Sequence, residues 1–129
     1  PSRLVGSEMC IRDRFYNWHQ DDWGGERYVS RDEHPDSNFA TDLKGYVGRV
    51  RKLSSIIQLT DPKKYSGGEL EFCFPNGRPD EKRATRICKE FKPRGSIVIF
   101  PSFLLHRIKK VTRGERNSVV CWSLGQPWQ

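Results

Sequence analysis

The chain has 129 residues, 35% of them apolar and 30% charged, with a formal net charge of +7. That length accommodates one domain with one core, and no run approaches the roughly 20 apolar residues of a membrane span. The apolar residues fall in short, aromatic-rich runs, the composition of a small β domain with long polar loops rather than of a disordered chain.

Residues 1–14 show no clear period and no helix cap. The run 4–14 resembles the translation of a transposon-end sequencing adapter, so residues 1–14 are expected to be a non-native scar or a disordered arm. The domain is then expected to occupy residues 15–129 and to be partial, lacking N-terminal strands and helices. Residues 15–19 are aromatic-rich and predict a strand. Residues 20–48 are polar and lack a strong period, the signature of a long functional loop. Residues 49–60 predict the next strand, which Asp61-Pro62 ends because proline cannot continue a central ladder.

A turn is expected at residues 65–68. Residues 69–74 alternate strictly, which would put Leu70, Phe72 and Phe74 on one face. Pro75-Asn76-Gly77 is a turn signal, and residues 84–91 predict another strand. Pro93-Arg94-Gly95 leads into the apolar run 96–100, suited to a strand covered on both faces. Single strands over 106–112 and 116–124 complete the set. About seven short strands separated by turns, with no convincing helix, point to a sandwich, barrel or jelly roll.

Four cysteines, Cys10, Cys73, Cys88 and Cys121, form no C-x-x-C pair, so a zinc site has no support. Three lie on predicted strands, where a free thiol packs as a small hydrophobe, and a reduced, cytosol-like setting is expected. Basic residues concentrate at Arg78, Lys82, Arg83, Arg86, Lys89, Lys92 and Arg94, then at Lys109, Lys110 and Arg113. Such a footprint can meet nucleic acid. No aromatic-interleaved motif accompanies it, so a solvated basic surface is the expectation.

Chemistry enters with His19 and Asp21. At a strand end, side chains two apart point to the same side, so both can face one ion. An isolated H-x-D pair is most often a surface coincidence. His106, at the head of a later strand, can supply a third ligand, although a strand-end histidine alone is more often structural. Two imidazoles and one carboxylate are the facial set for non-haem Fe(II), leaving positions open for a bidentate cosubstrate and O2. Alternation puts Arg116, Ser118, Val120 and Trp122 on one strand face. A buried guanidinium there needs an anion: either a cosubstrate carboxylate, held by its planar fork, or Glu69, Glu71 or Glu115. His34, between Glu33 and Pro35, reads as solvated.

In combination these pieces resemble the prolyl 4-hydroxylase-like Fe(II)/2-oxoglutarate oxygenases, and within them the bacterial and phage PKHD-type hydroxylases. The matching residues are Trp18-His19-Gln20-Asp21, Arg51-Lys52-Leu53-Ser54 with Gln58-Leu59-Thr60, and Tyr65-Ser66-Gly67-Gly68-Glu69-Leu70. Further along come residues 95–102, His106-Arg107, residues 111–118 and Trp122. The resemblance spans about residues 15–125.

It implies an all-β double-stranded β-helix, a cupin-like jelly roll. It implies that His19, Asp21 and His106 bind iron, and that Arg116, with Ser118 nearby, binds the distal carboxylate of 2-oxoglutarate. The implied reaction hydroxylates a C–H bond of a peptidyl (prolyl among them) or small-molecule substrate. It consumes O2 and decarboxylates 2-oxoglutarate to succinate, with ascorbate as an accessory reductant. A carboxylate at position 21 favours hydroxylation over halogenation. Relatives often add a cosubstrate-binding tyrosine from an earlier strand, which would fall in residues 1–14, where the match fails. Expected partners are a peptide or small-molecule substrate, without nucleic acid or membrane, in the cytoplasm of a bacterium or phage-infected cell. The alternatives are an AlkB-like nucleic-acid demethylase and an inactive jelly-roll binding module. Against the demethylase, the sequence has no second arginine at the spacing after Arg116 that those enzymes use.

Overall fold

The computed structural model describes residues 3–9, 16–22 and 24–128. Among them are twelve strands: β1 (Arg3–Met9), β2 (Tyr16–His19), β3 (Val29–Ser30), β4 (Ala40–Thr41), β5 (Val50–Gln58), β6 (Tyr65–Gly67), β7 (Leu70–Cys73), β8 (Thr85–Ile87), β9 (Ile97–Pro101), β10 (Leu105–Ile108), β11 (Val111–Gly114) and β12 (Ser118–Gly125). One sheet runs β1-β12-β5-β9 and the other β2-β10-β7-β8, with two-stranded ribbons β11-β6 and β3-β4 beside them. The chain passes repeatedly from one sheet to the other, and neighbours within each are antiparallel. This is the jelly roll expected from the spacing of short strands and turns.

The core lies between the sheets. Ile56 and Phe100 from the first sheet meet Leu70 and Ile108 from the second, with Phe91 closing the cluster. The inner face of β5 carries Ser54, Ile56 and Gln58, all buried, by the period of two along a strand. Two of these three are polar, and the polar positions flank the apolar one. That arrangement places hydrogen-bonding groups at both ends of the interior.

Several expectations change. The run 96–100 forms β9 at the edge of its sheet, and its outward Ile97 and Ile99 are 59% and 63% exposed. An unbroken apolar run does not reveal whether a second layer covers it. Phe74 is 48% exposed, beyond the end of β7, so only Leu70 and Phe72 of the predicted triplet turn inward. The strand predicted over 106–112 is two strands, because the chain leaves β10 at Lys109-Lys110 and pairs with β6 instead. That pairing makes the expected turn at 65–68 into β6.

The 20–48 loop carries its own packing. Tyr28 and Phe39 are buried against Trp122 and Leu124, and the Arg51 guanidinium lies 3.7 Å from the Trp122 ring centroid. Arg51 also donates to the Tyr28 hydroxyl at 3.0 Å. Such stacking contributes about 0.5–2 kcal/mol per cation–aromatic pair. Isolated aromatics in a polar loop make no repeating pattern, so the sequence gives no signal for this packing.

β1 pairs with β12 from Arg3↔Leu124 to Met9↔Val119. A strand here contrasts with the absence of a strand pattern in the sequence. A sheet edge is built by backbone hydrogen bonds, so many sequences can occupy it. Cys10 and Phe15 lie outside the described residues. Cys73, Cys88 and Cys121 are free thiols, and no helix among the described residues is long and apolar enough to cross a membrane.

Candidate metal centre

His19 ends β2, and Asp21 follows in the bend after it. His106 stands on β10 directly opposite His19 in the antiparallel register. Cross-strand pairing therefore brings together two histidines that are distant in sequence, with ring centroids 4.3 Å apart. One ligand atom from each of His19, Asp21 and His106 lies within 4.8 Å of the others. Asp21 Oδ1 is 3.4 Å from His19 Nε2 and 3.6 Å from His106 Nε2.

The surroundings fix which atoms face the centre. His19 Nδ1 lies 2.6 Å from the Asn17 carbonyl, and His106 Nδ1 lies 2.8 Å from the Leu104 carbonyl. A carbonyl only accepts, so each Nδ1 carries a proton, and in the neutral ring each Nε2 presents its lone pair to Asp21's side of the site. This is the tautomer a metal requires, held by backbone groups. Asp21 Oδ2 accepts a 2.5 Å hydrogen bond from Ser54 Oγ, which in turn lies 3.0 Å from Ser102 Oγ. The Ser102 carbonyl also accepts from the amides of Asp21 and Asp22, both at 2.9 Å. One carboxylate oxygen is thus committed to the protein and the other is left toward the two imidazoles.

Burial opposes ionising Asp21, but hydrogen bonding to His19, the charge of His106 and a hydrogen bond from Ser54 outweigh it and hold the carboxyl at about 2. Burial lowers the His106 pKa, with Asp21 acting in the opposite sense. Burial also works against protonating His19, yet Asp21 and the Asn17 carbonyl raise its pKa above 6.5. An ionised carboxylate beside a buried neutral imidazole is a donor set ready for a divalent cation. The residues therefore fit Fe(II) by donor type and tautomer.

Arg116 and Ser118 sit at the other end of the interior, 3% and 1% exposed. Ser118 is the register partner of Gln58. The Arg116 guanidinium lies 6.0 Å from the Phe91 ring centroid, and its Cδ passes over Gly68. Phe91 and Phe100 share one core cluster, and Phe100 packs edge-on to His106 at 4.7 Å. A continuous interior thus joins the two groups of residues. Of the carboxylates considered for Arg116, Glu71 is paired with Arg107 at 2.8 Å.

Ser54, Ser102 and Gly68 belong to matching motifs, but sequence alone gave them no role. Serine in a strand carries no mark of which carboxylate it will meet. His34 is exposed, as expected. Arg78 and Arg86 of the basic stretch pair with Asp80 and Glu90, giving that surface mixed charge.

Residues 7–124 match the family model described as the 2OG-Fe(II) oxygenase superfamily. A PKHD-type hydroxylase of Maricaulis maris is 37% identical over 75 residues, covering 58% of this chain and 30% of that protein. A PKHD-type hydroxylase of Pseudomonas putida is 37% identical over 81 residues, covering 62% and 32%. The chain thus spans about a third of the length of these curated relatives. A solved Pseudomonas putida prolyl-4-hydroxylase is similar with a TM-score of 0.58 at 18% identity, covering 95% of this chain and 52% of that one. That likeness shows a shared fold.

Proposed function

The chain belongs to the 2OG-Fe(II) oxygenase superfamily, and from that premise we propose that it is the catalytic roll of an Fe(II)- and 2-oxoglutarate-dependent hydroxylase. The observation that carries the proposal is the convergence of His19, Asp21 and His106, with ligand atoms within 4.8 Å of one another. These three residues would hold the iron. Arg116 and Ser118 would hold the distal carboxylate of the cosubstrate. When bound, iron and 2-oxoglutarate supply O2 activation coupled to decarboxylation to succinate.

The residues of this chain supply the rest. The Asn17 and Leu104 carbonyls hold the Nδ1 protons of His19 and His106, so Nε2 of each ring is the nitrogen turned to the iron site. Asp21 stays ionised, and Ser54 fixes its orientation. With three protein ligands, a bound Fe(II) would keep coordination positions for cosubstrate and O2. Phe72 and Phe100 pack against the His106 ring and keep that side apolar, which limits water near the reacting centre. The relatives named PKHD-type hydroxylase support hydroxylation as the reaction; a C–H bond of a peptidyl or small-molecule substrate as the target, with ascorbate as an accessory reductant, is part of our proposal. The free thiols are compatible with a cytoplasmic setting.

The test is succinate release from 2-oxoglutarate by the chain supplied with Fe(II) and O2. The parent should release succinate, and His106→Ala should fall to background. Equal release by the two would refute the assignment.

A further inference from the structure

We propose that the turn 101–104, which joins β9 to β10, is a backbone cradle that sets the affinity of the centre for its metal, with Gln20 and Trp128 as its positioning residues. This rests on the reading of His19, Asp21 and His106 as metal ligands. Three successive carbonyls of the turn serve that segment and those ligands. The Ser102 carbonyl accepts from the amides of Asp21 and Asp22, both at 2.9 Å. The Phe103 carbonyl accepts from Gln20 Nε2 at 2.7 Å. The Leu104 carbonyl accepts from His106 Nδ1 at 2.8 Å. Gln20 stands between His19 and Asp21 in the chain. One turn therefore grips the segment that carries two ligands and the ring of the third.

The inner side of the turn is fixed by the fold. The Leu104 amide donates to the Pro101 carbonyl at 3.0 Å and closes the turn. Ser102 is fully buried. Its amide donates to the Lys52 carbonyl at 2.9 Å, and its hydroxyl lies 3.0 Å from Ser54 Oγ. The outer side differs. Phe103 is 41% exposed, so the core does not hold its ring. The ring instead meets Trp128 edge-on, with centroids 5.6 Å apart. Lys52 Nζ lies 3.5 Å from the Trp128 ring centroid. Edge-on ring pairs and cation–ring contacts both attract beyond the burial they bring. Lys52 thus holds the turn twice, by its carbonyl at Ser102 and by its ammonium through Trp128 to Phe103.

Trp128 lies beyond β12, which ends at Gly125, and is itself 52% exposed. Its contacts with Lys52 and Phe103 therefore add more to the order of the turn than to the core. That order matters to a metal, which binds only as tightly as its donors are held in place. A shift of Phe103 moves the carbonyls on either side of it, at Ser102 and Leu104. It thereby displaces Asp21 and the His106 ring together. Gln20 holds the same turn from the ligand segment, because its amide bonds the Phe103 carbonyl. Trp128 and Gln20 thus act on one residue, the first through its side chain and the second through its carbonyl.

Fe(II) binding to the metal-free chain would be measured by anaerobic calorimetry, alongside the urea midpoint of the same preparations. Gln20→Leu should weaken Fe(II) about tenfold, the scale of lost outer support at a metal ligand. Trp128→Ala, one contact further out, should weaken it about three- to tenfold. In both, the urea midpoint should stay at that of the parent. Trp128→Phe keeps a ring against Phe103 and Lys52 and should restore the parent affinity. Unchanged affinity in either Gln20→Leu or Trp128→Ala overturns the inference and leaves the metal assignment standing. So does a loss that Trp128→Phe shares, or one that runs parallel to a fall in the urea midpoint. A parent chain that binds no Fe(II) overturns both.

Discussion

Asp21 carries most of the electrostatic consequence at the level of single residues. Its carboxyl is held at about 2 against a usual 3.8, so it stabilises the fold by about 2 kcal/mol while ionised. The pKa is depressed on folding. The contribution is therefore full above about pH 4 and is lost as pH falls through about 2. Urea midpoints of the metal-free chain should drop over that window, and Asp21→Asn should flatten the drop; an equal drop in the Asp21→Asn chain would point to other groups. Ser54→Ala leaves Asp21 Oδ2 without its hydroxyl donor and should weaken Fe(II) binding by about tenfold, the scale of lost support around a metal ligand. Calorimetric titration with Fe(II) under anaerobic conditions reads it, and unchanged affinity would remove Ser54 from the site. His19, Asp21 and His106 were legible in the sequence because few residue types bind metal and two of them sit at strand spacing. Ser54 was not, since its role depends on β5 turning that face toward a bend from another sheet.

Elements set where these residues point. β2 and β10 put His19 and His106 in one register pair, and β6 with β11 carries the chain to Arg116. Gly68, just past β6, has φ +70°, and a Cβ there would lie 2.8 Å from Arg116 Cδ. Gly68→Ala is therefore strained in the backbone and pushes Arg116 from its place. It should weaken 2-oxoglutarate binding at least about tenfold while the Fe(II) affinity of the distant triad holds. Parallel loss of both affinities, measured by calorimetry, would instead mean general misfolding. The strand pattern of β5, β7 and β12 was readable from alternation and bounding turns. The break between β10 and β11 was not, because no glycine or proline marks it, and only the adjacent Lys109 and Lys110 interrupt the alternation. The edge position of β9 was equally hidden, since nothing within a run of apolar residues records what lies outside it.

Over the whole molecule, the roll works as a frame with the proposed metal ligands at one end of its interior and Arg116 with Ser118 at the other. Between them lies the apolar cluster of Ile56, Leu70, Phe91, Phe100 and Ile108. The outer face of the first sheet, in contrast, leaves Leu53, Ile97 and Ile99 exposed. Apolar patches of this kind favour self-association. Ile97→Lys with Ile99→Lys should lower light scattering at high concentration without altering Fe(II) affinity; unchanged scattering would place the tendency elsewhere. The jelly roll itself could be anticipated from evenly spaced strands, whereas the packing of residues 20–48 onto Trp122 depends on contacts between distant segments. The most direct test of the central claim is an anaerobic titration of the chain with Fe(II) and then 2-oxoglutarate, followed by visible absorption. A weak metal-to-ligand charge-transfer band should appear with the parent, need far more 2-oxoglutarate in Arg116→Ala, and be absent in His106→Ala. A parent chain that binds both components and shows no such band, or an identical band in His106→Ala, would contradict the account.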